Sequence, residues 1–153
     1  MWQTEMSTMV RHLINDTESA TYPDERIEMT ILVAAQLLLT EVDFEQTYTV
    51  NVDSYEITPD PTTTDAKDDG FINLVCLKAS CIIAGSEYKA YSLGAIRVSD
   101  GPSSIDMSSI AANLRLLHEG LCARYETTKL NFATANNNVG EAILSPYGSY
   151  WSR

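Results

Sequence analysis

The stretch DGFINLVCLKASCIIA, from Asp69 to Ala84, is the most informative about the fold. Its apolar residues surround the helix and leave little polar surface: Phe71, Leu74, Val75, Cys76, Leu77, Ala79, Ile82 and Ile83. Such a helix is predicted to be the centre of the core. Asp68 or Asp69 is suited to cap its first turn, and Gly85 is expected to weaken or end it.

Three further helices are predicted around this central one. Spacings of three and four residues predict a first helix from about Thr4 to Ile14 and a second that begins at Tyr22-Pro23-Asp24-Glu25. The second helix carries an apolar stripe at Ile27, Ile31, Ala35, Leu38 and Val42. The last helix should run from Ile105 to Ala133, capped by Ser104 or Asp106, with a stripe at Ile110, Leu114, Leu117, Leu121, Tyr125, Thr128 and Phe132.

The rest of the chain has extended or irregular patterns. Residues 46–57 alternate like a strand that buries Tyr48, Val50 and Val52, and 93–98 form a short extended segment. Residues 58–70 read as a mobile surface loop. We therefore expect a mainly α protein, a bundle of about four helices with a short β-hairpin or extended segments, comprising a helical domain (1–139) and a protruding C-terminal arm (140–153).

Composition excludes several functional classes. The 153 residues carry a net charge of −11, which repels phosphate and argues against specific nucleic-acid binding. No uninterrupted apolar run approaches the ~20 residues that span a membrane, and the start does not resemble a signal peptide, so a cytoplasmic site of synthesis is expected. The three cysteines include no CxxC pair, and reduced, buried thiols are the default expectation in that compartment.

Motifs for catalysis or metal binding are incomplete in this sequence. The segment His118-Glu119-Gly120-Leu121-Cys122 matches half of a zinc-protease motif, and the preferred interpretation is a helix with an exposed His–Glu pair. The segment 65–76 lacks two of the oxygen ligands of a calcium loop. We therefore expect no enzyme activity, no cofactor and no metal, and we expect His12→Ala and His118→Ala to be functionally silent.

Several segments occur in an order that is typical of one viral family. A helix ending in Ile14-Asn15-Asp16 precedes the Tyr22-Pro23-Asp24-Glu25 start and a long Ala-containing helix. The second half adds Asp69 to Ala84, Ala95-Ile96-Arg97-Val98-Ser99-Asp100-Gly101, Ile105-Asp106, Tyr125 and Gly140-Glu141-Ala142-Ile143-Leu144-Ser145-Pro146-Tyr147. This order resembles the head-to-tail connector (adaptor) proteins of tailed bacteriophages. Asn15 stands where that family often has Gly, and Asn also adopts left-handed conformations.

The resemblance implies a structural subunit of the virion neck. It implies a homo-oligomer, a dodecameric ring beneath the portal protein, which lines the channel of the passing DNA without binding it specifically. It also implies contacts with a tail-proximal neck, stopper or terminator protein, and none with a membrane. The C-terminal arm would reach the portal or a neighbouring subunit through its apolar and aromatic residues: Ile143, Leu144, Pro146, Tyr147, Tyr150 and Trp151.

Other functions remain open at this point. The chain is alternatively another neck or tail-terminator ring subunit, a monomeric helical binding or regulatory protein, or a helical enzyme. The apolar second and third helices favour a ring, since a small monomer has difficulty covering them. Deleting 140–153 is predicted to leave a folded domain that no longer docks.

Overall fold

The computed structural model describes residues 1–18, 21–94, 98–100, 103–105 and 108–136. In these parts the protein is mainly helical, which confirms the expected fold class. The elements follow one another as α1 (Trp2–Ile14), α2 (Asp24–Leu38), β1 (Thr49–Asn51), β2 (Glu56–Thr58), a 3₁₀ turn (Thr64–Ala66), α3 (Asp69–Gly94), β3 (Val98–Asp100), β4 (Ser103–Ile105) and α4 (Ser108–Asn136).

Helix α3 is the centre of the core, as its sequence predicts. It packs against α1, α2 and α4. Its fully or nearly fully buried side chains include Phe71, Leu74, Val75, Cys76, Ala79 and Ile83. By length and composition alone, α3 would also be able to cross a membrane. This was not predicted from the sequence, because polar residues interrupt its apolar residues. However, 67% of its most apolar stretch is buried inside the protein, as expected of a core helix.

The first turn of α3 is capped as predicted, whereas the helix continues beyond Gly85. The Phe71 amide donates to the Asp68 carboxylate at 2.9 Å, so Asp68 is the capping residue. Gly85 does not end the helix, which continues to Gly94. A side chain at Gly85 would collide with the imidazole of His118, and this close approach explains the glycine.

A buried arginine holds the connection between α1 and α2. Asn15 ends α1 in the left-handed conformation (φ 60°). The Arg11 guanidinium contacts the carboxylates of Asp16 at 2.7 Å and Asp24 at 2.5 Å, and the Tyr22 carbonyl at 3.0 Å. The short turn and the start of α2 are therefore tied to α1 by one side chain.

The segment 46–57 is a β-hairpin rather than one strand. Strands β1 and β2 are antiparallel, with Val50 opposite Ile57. The turn has no Gly and was missed for that reason. Instead, the Asn51 side chain accepts from the amides of Asp53 and Ser54, and Tyr55 adopts a positive φ of 56°. Tyr48 is buried as expected, while Val50 and Val52 are only partly buried.

The loop at 58–70 is anchored to the core. Pro61 is fully buried, and Asp60 accepts hydrogen bonds from Thr62 and from the Trp2 amide. Burial raises the pKa of Asp60, but these hydrogen bonds outweigh it, so that the net pKa is lowered. The expectation of a mobile loop overlooked this anchoring.

Helix α4 lies along α3, and the predicted stripe is buried only in part. Leu121 and Tyr125 are buried, and Phe132 packs on an aromatic cluster with Phe44, at 5.3 Å between ring centroids. The N-terminal half is less covered, since Ile110 and Leu117 remain exposed. The helix begins at Ser108 rather than Ile105, and Ser104 belongs to β4 instead of capping it. The second hairpin, β3–β4, pairs Val98 with Ile105 in the region expected to be extended.

Candidate subunit interface on helix α4

The contact residues predicted for the C-terminal arm lie outside the described part of the chain. They are Ile143, Leu144, Pro146, Tyr147, Tyr150 and Trp151. The candidate site must therefore be sought on the described helices. The candidate is an exposed, uncharged surface on the outer face of α4, which was not predicted from the sequence.

This outer face is a long uncharged stripe. Its members recur at spacings of three and four residues, so they lie above one another on one side of the helix. All are exposed, and Leu116 and Leu130 are 66% and 67% exposed. The α4 stripe consists of Ala112, Leu116, Gly120, Ala123, Thr127, Leu130 and Thr134.

Gly120 lies in the middle of the α4 stripe, and no contact within the described part of the protein explains why this residue is a glycine. A Cβ built there would meet no heavy atom within 4 Å. Glycine inside a helix costs about 1 kcal/mol relative to alanine, so the position weakens α4. A glycine whose Cβ position is open leaves room for an external backbone to approach closely.

Charged groups border the stripe. Arg115 pairs with Glu119 at 2.7 Å, and Lys129 pairs with Glu126 at 2.8 Å, all on one side of it. Arg124 is exposed on the other side. An apolar centre with a polar rim is the usual anatomy of a protein–protein interface.

A second exposed apolar surface lies on α2. Val33 and Leu37, one helical turn apart, are 38% and 44% exposed. Gln36 and Thr40 beside them are exposed and uncharged. The stripe that α2 turns inward, including Ile27 and Ile31, is buried as predicted. We call Val33 and Leu37 the α2 patch.

A polar cluster joins α3 and α4 to the residues that follow α2. The Glu41 carboxylate accepts from the Lys78 ammonium, from the Tyr125 hydroxyl at 2.5 Å and from Lys129 at 3.2 Å. Burial raises the pKa of Glu41, but the three donors outweigh it and lower the pKa to about 2. The pKa of the Tyr125 hydroxyl is raised by burial and by its bond to Glu41. A carboxylate held by three donors is a poor proton acceptor, so this cluster fits structural support better than acid–base chemistry.

Two of the three cysteines and His118 differ from what the sequence predicts. Cys76 is a free, buried thiol, as expected, and burial raises its pKa to about 12. Cys81 and Cys122, however, are joined by a disulfide between α3 and α4. The His–Glu pair is divided, because Glu119 is exposed while His118 lies half-buried beside Cys122.

No family model, curated protein or solved structure matches this chain.

Proposed function

We propose that the protein is a structural subunit that assembles into a ring, in the role of a head-to-tail adaptor in a bacteriophage neck. The observation that carries the assembly is the α4 stripe, exposed and free of charge over more than five helical turns. The assignment to the phage neck depends on the resemblance of the sequence to the connector family. A non-catalytic role is part of the proposal.

Two different apolar surfaces favour a ring over a symmetric dimer. The α4 stripe and the α2 patch belong to different helices that each pack on α3. A heterologous contact joins two different surfaces of neighbouring copies, and it closes into a ring when the rotation allows. We infer that the α4 stripe of one subunit contacts the α2 patch of the next.

The negative net charge of the chain supports the proposed ring as the lining of a DNA channel. A charge of −11 on each copy gives an assembled ring an acidic surface, which prevents DNA from adhering. The arm at 140–153 supplies the docking residues toward a portal protein or a neighbouring subunit in this proposal. Another neck or tail-terminator subunit would use the same assembly, and a monomeric binding protein would not need two exposed patches.

Negative-stain electron microscopy of the purified full chain tests the assembly. We expect closed rings, and particles of a single subunit at every concentration would contradict the proposal. Deletion of 140–153 separates assembly from docking. The truncated chain should keep its far-UV circular dichroism and fail to join heads to tails, whereas retained joining would refute the assigned role of the arm.

A further inference from the structure

Three metal-binding side chains meet between α3 and α4. Cys81 comes from α3, while His118 and Cys122 lie one turn apart on α4. One ligand atom from each residue lies within 4.8 Å of the others, and all three residues are half-buried. We call this group the cysteine–histidine cluster.

We propose that, after reduction of the disulfide, the cysteine–histidine cluster binds a thiophilic divalent cation of the Zn²⁺ class. Two thiolates and one imidazole are ligands that such ions prefer, and a water would complete a tetrahedral site. The proposal replaces the sequence expectation that the chain binds no metal. It is independent of the proposed ring.

The orientation of His118 suits a metal ligand. Its Nδ1 lies 3.2 Å from the carbonyl oxygen of Cys81. In the tautomer that carries its proton on Nδ1, this nitrogen donates to the carbonyl oxygen and the lone pair lies on Nε2, which is the usual arrangement of a ligating histidine. The Cys122 sulfur lies 3.2 Å from Nδ1 and 3.9 Å from Nε2. Two such ligands of one tetrahedral zinc ion are about 3.6 Å apart, given zinc–ligand bonds of about 2.3 and 2.05 Å.

Gly85 independently indicates that the fold leaves space for the imidazole of His118. A Cβ at Gly85 would lie 2.9 Å from His118 Cε1 and 3.1 Å from Nδ1. The central helix thus has glycine at the point where the imidazole rests against it. Since glycine weakens a helix, the space it leaves for His118 is the physical reason for its presence.

The oxidised and metal-bound states exclude each other. A dithiol reductant attacks one sulfur of the Cys81–Cys122 bond, then closes its own disulfide and releases two protein thiols. Two electrons and two protons pass to the protein in this exchange. Binding of Zn²⁺ then displaces the two thiol protons, and the sulfurs separate to about 3.8 Å around the ion. The Cα atoms, 4.9 Å apart, hold both cysteines within reach of one ion.

Zinc titration of the reduced full chain tests the site. The protein is reduced with a dithiol, which is then removed without air, and Zn²⁺ is added against a chromophoric chelator. We expect one Zn²⁺ per chain, and with Co²⁺ a thiolate-to-metal absorption band. Cys81→Ser and Cys122→Ser should each abolish this tight binding. His118→Ala removes a ligand and should weaken binding at least about 10-fold, since even the loss of a ligand's hydrogen-bond partner costs that much.

Matched variants separate the cluster from unspecific thiol binding. Cys76→Ser and His12→Ala should bind Zn²⁺ like the wild type, because neither residue belongs to the cluster. Gly85→Ala keeps all three ligands but displaces His118, so it should weaken binding at least tenfold while circular dichroism remains helical. Absence of equimolar binding in the reduced wild type, or unchanged binding in His118→Ala, would overturn the proposal.

Discussion

Glu41 illustrates how one side chain joins three parts of the fold. It lies just after α2, and its carboxylate accepts from Lys78 on α3 and from Tyr125 and Lys129 on α4. The sequence offers no pattern that joins residues so far apart in the chain. Only the packed helices bring these four groups together.

The stability that Glu41 provides should depend on pH. Its pKa falls from 4.5 to about 2 on folding, so the ionised carboxylate stabilises the folded state fully above pH 4.5. This contribution is lost as the pH falls toward 2. The side chain is 35% exposed, and after allowance for solvent screening Glu41→Gln should cost about 1–2 kcal/mol at pH 7. Urea unfolding of both proteins from pH 7 to 2.5 measures the difference, and a difference that does not shrink below pH 4.5 would contradict the assignment.

Arg11 should be the most sensitive charged residue of the described chain. Its side chain is 8% exposed and bonds to Asp16 and Asp24. Arg11→Met removes the cation from a buried carboxylate, and we expect a loss of about 3 kcal/mol in the free energy of unfolding. Arg11→Lys is the control, since it keeps the charge without the forked geometry. Its free energy of unfolding should lie between those of the wild type and Arg11→Met. A loss below about 1 kcal/mol for Arg11→Met would contradict this role.

At the scale of the element, two helical glycines with opposite surroundings make a direct comparison. Gly120→Ala adds a methyl group in open space and should stabilise the isolated subunit by about 1 kcal/mol. Gly85→Ala, the matched control, places its Cβ 2.9 Å from His118 Cε1 and should be neutral or destabilising. Urea unfolding at low protein concentration measures both. Equal effects of the two changes would show that the surroundings of these glycines do not matter.

The four helices and their inward faces were predictable because periodicity reflects burial. The stripes of α2 and α4 and the buried character of α3 follow from spacings within the chain. Features that depend on tertiary contacts were not predictable. The turn at 52–55 relies on the Asn51 side chain, the loop is held by Pro61, and the disulfide joins cysteines 41 residues apart.

The candidate interface was predictable only in part. The sequence predicts the inward stripe of α4 and indicates that apolar helices need neighbours. The contact was predicted on the C-terminal arm and the outer stripe was overlooked, because small and threonine residues carry a weak signal in a periodicity analysis. Gly120 becomes informative only when the space around it is known.

In the proposed ring, two exposed surfaces of one helical bundle meet between neighbouring copies. Each surface is narrow and uncharged, and such contacts depend on a few side chains. A single charge placed within either surface should therefore prevent assembly. A charge placed elsewhere on the bundle should not.

Sedimentation velocity of three variants tests this claim most directly. Leu130→Glu disrupts the α4 stripe, Leu37→Glu disrupts the α2 patch, and Ala90→Glu adds the same charge to an exposed position of α3 outside both. We predict that the wild type and Ala90→Glu sediment as the same oligomer, while the other two variants sediment as folded single subunits. A wild type that remains monomeric up to about 1 mM, where even weak contacts associate, or oligomers that persist in both disrupted variants, would contradict the account.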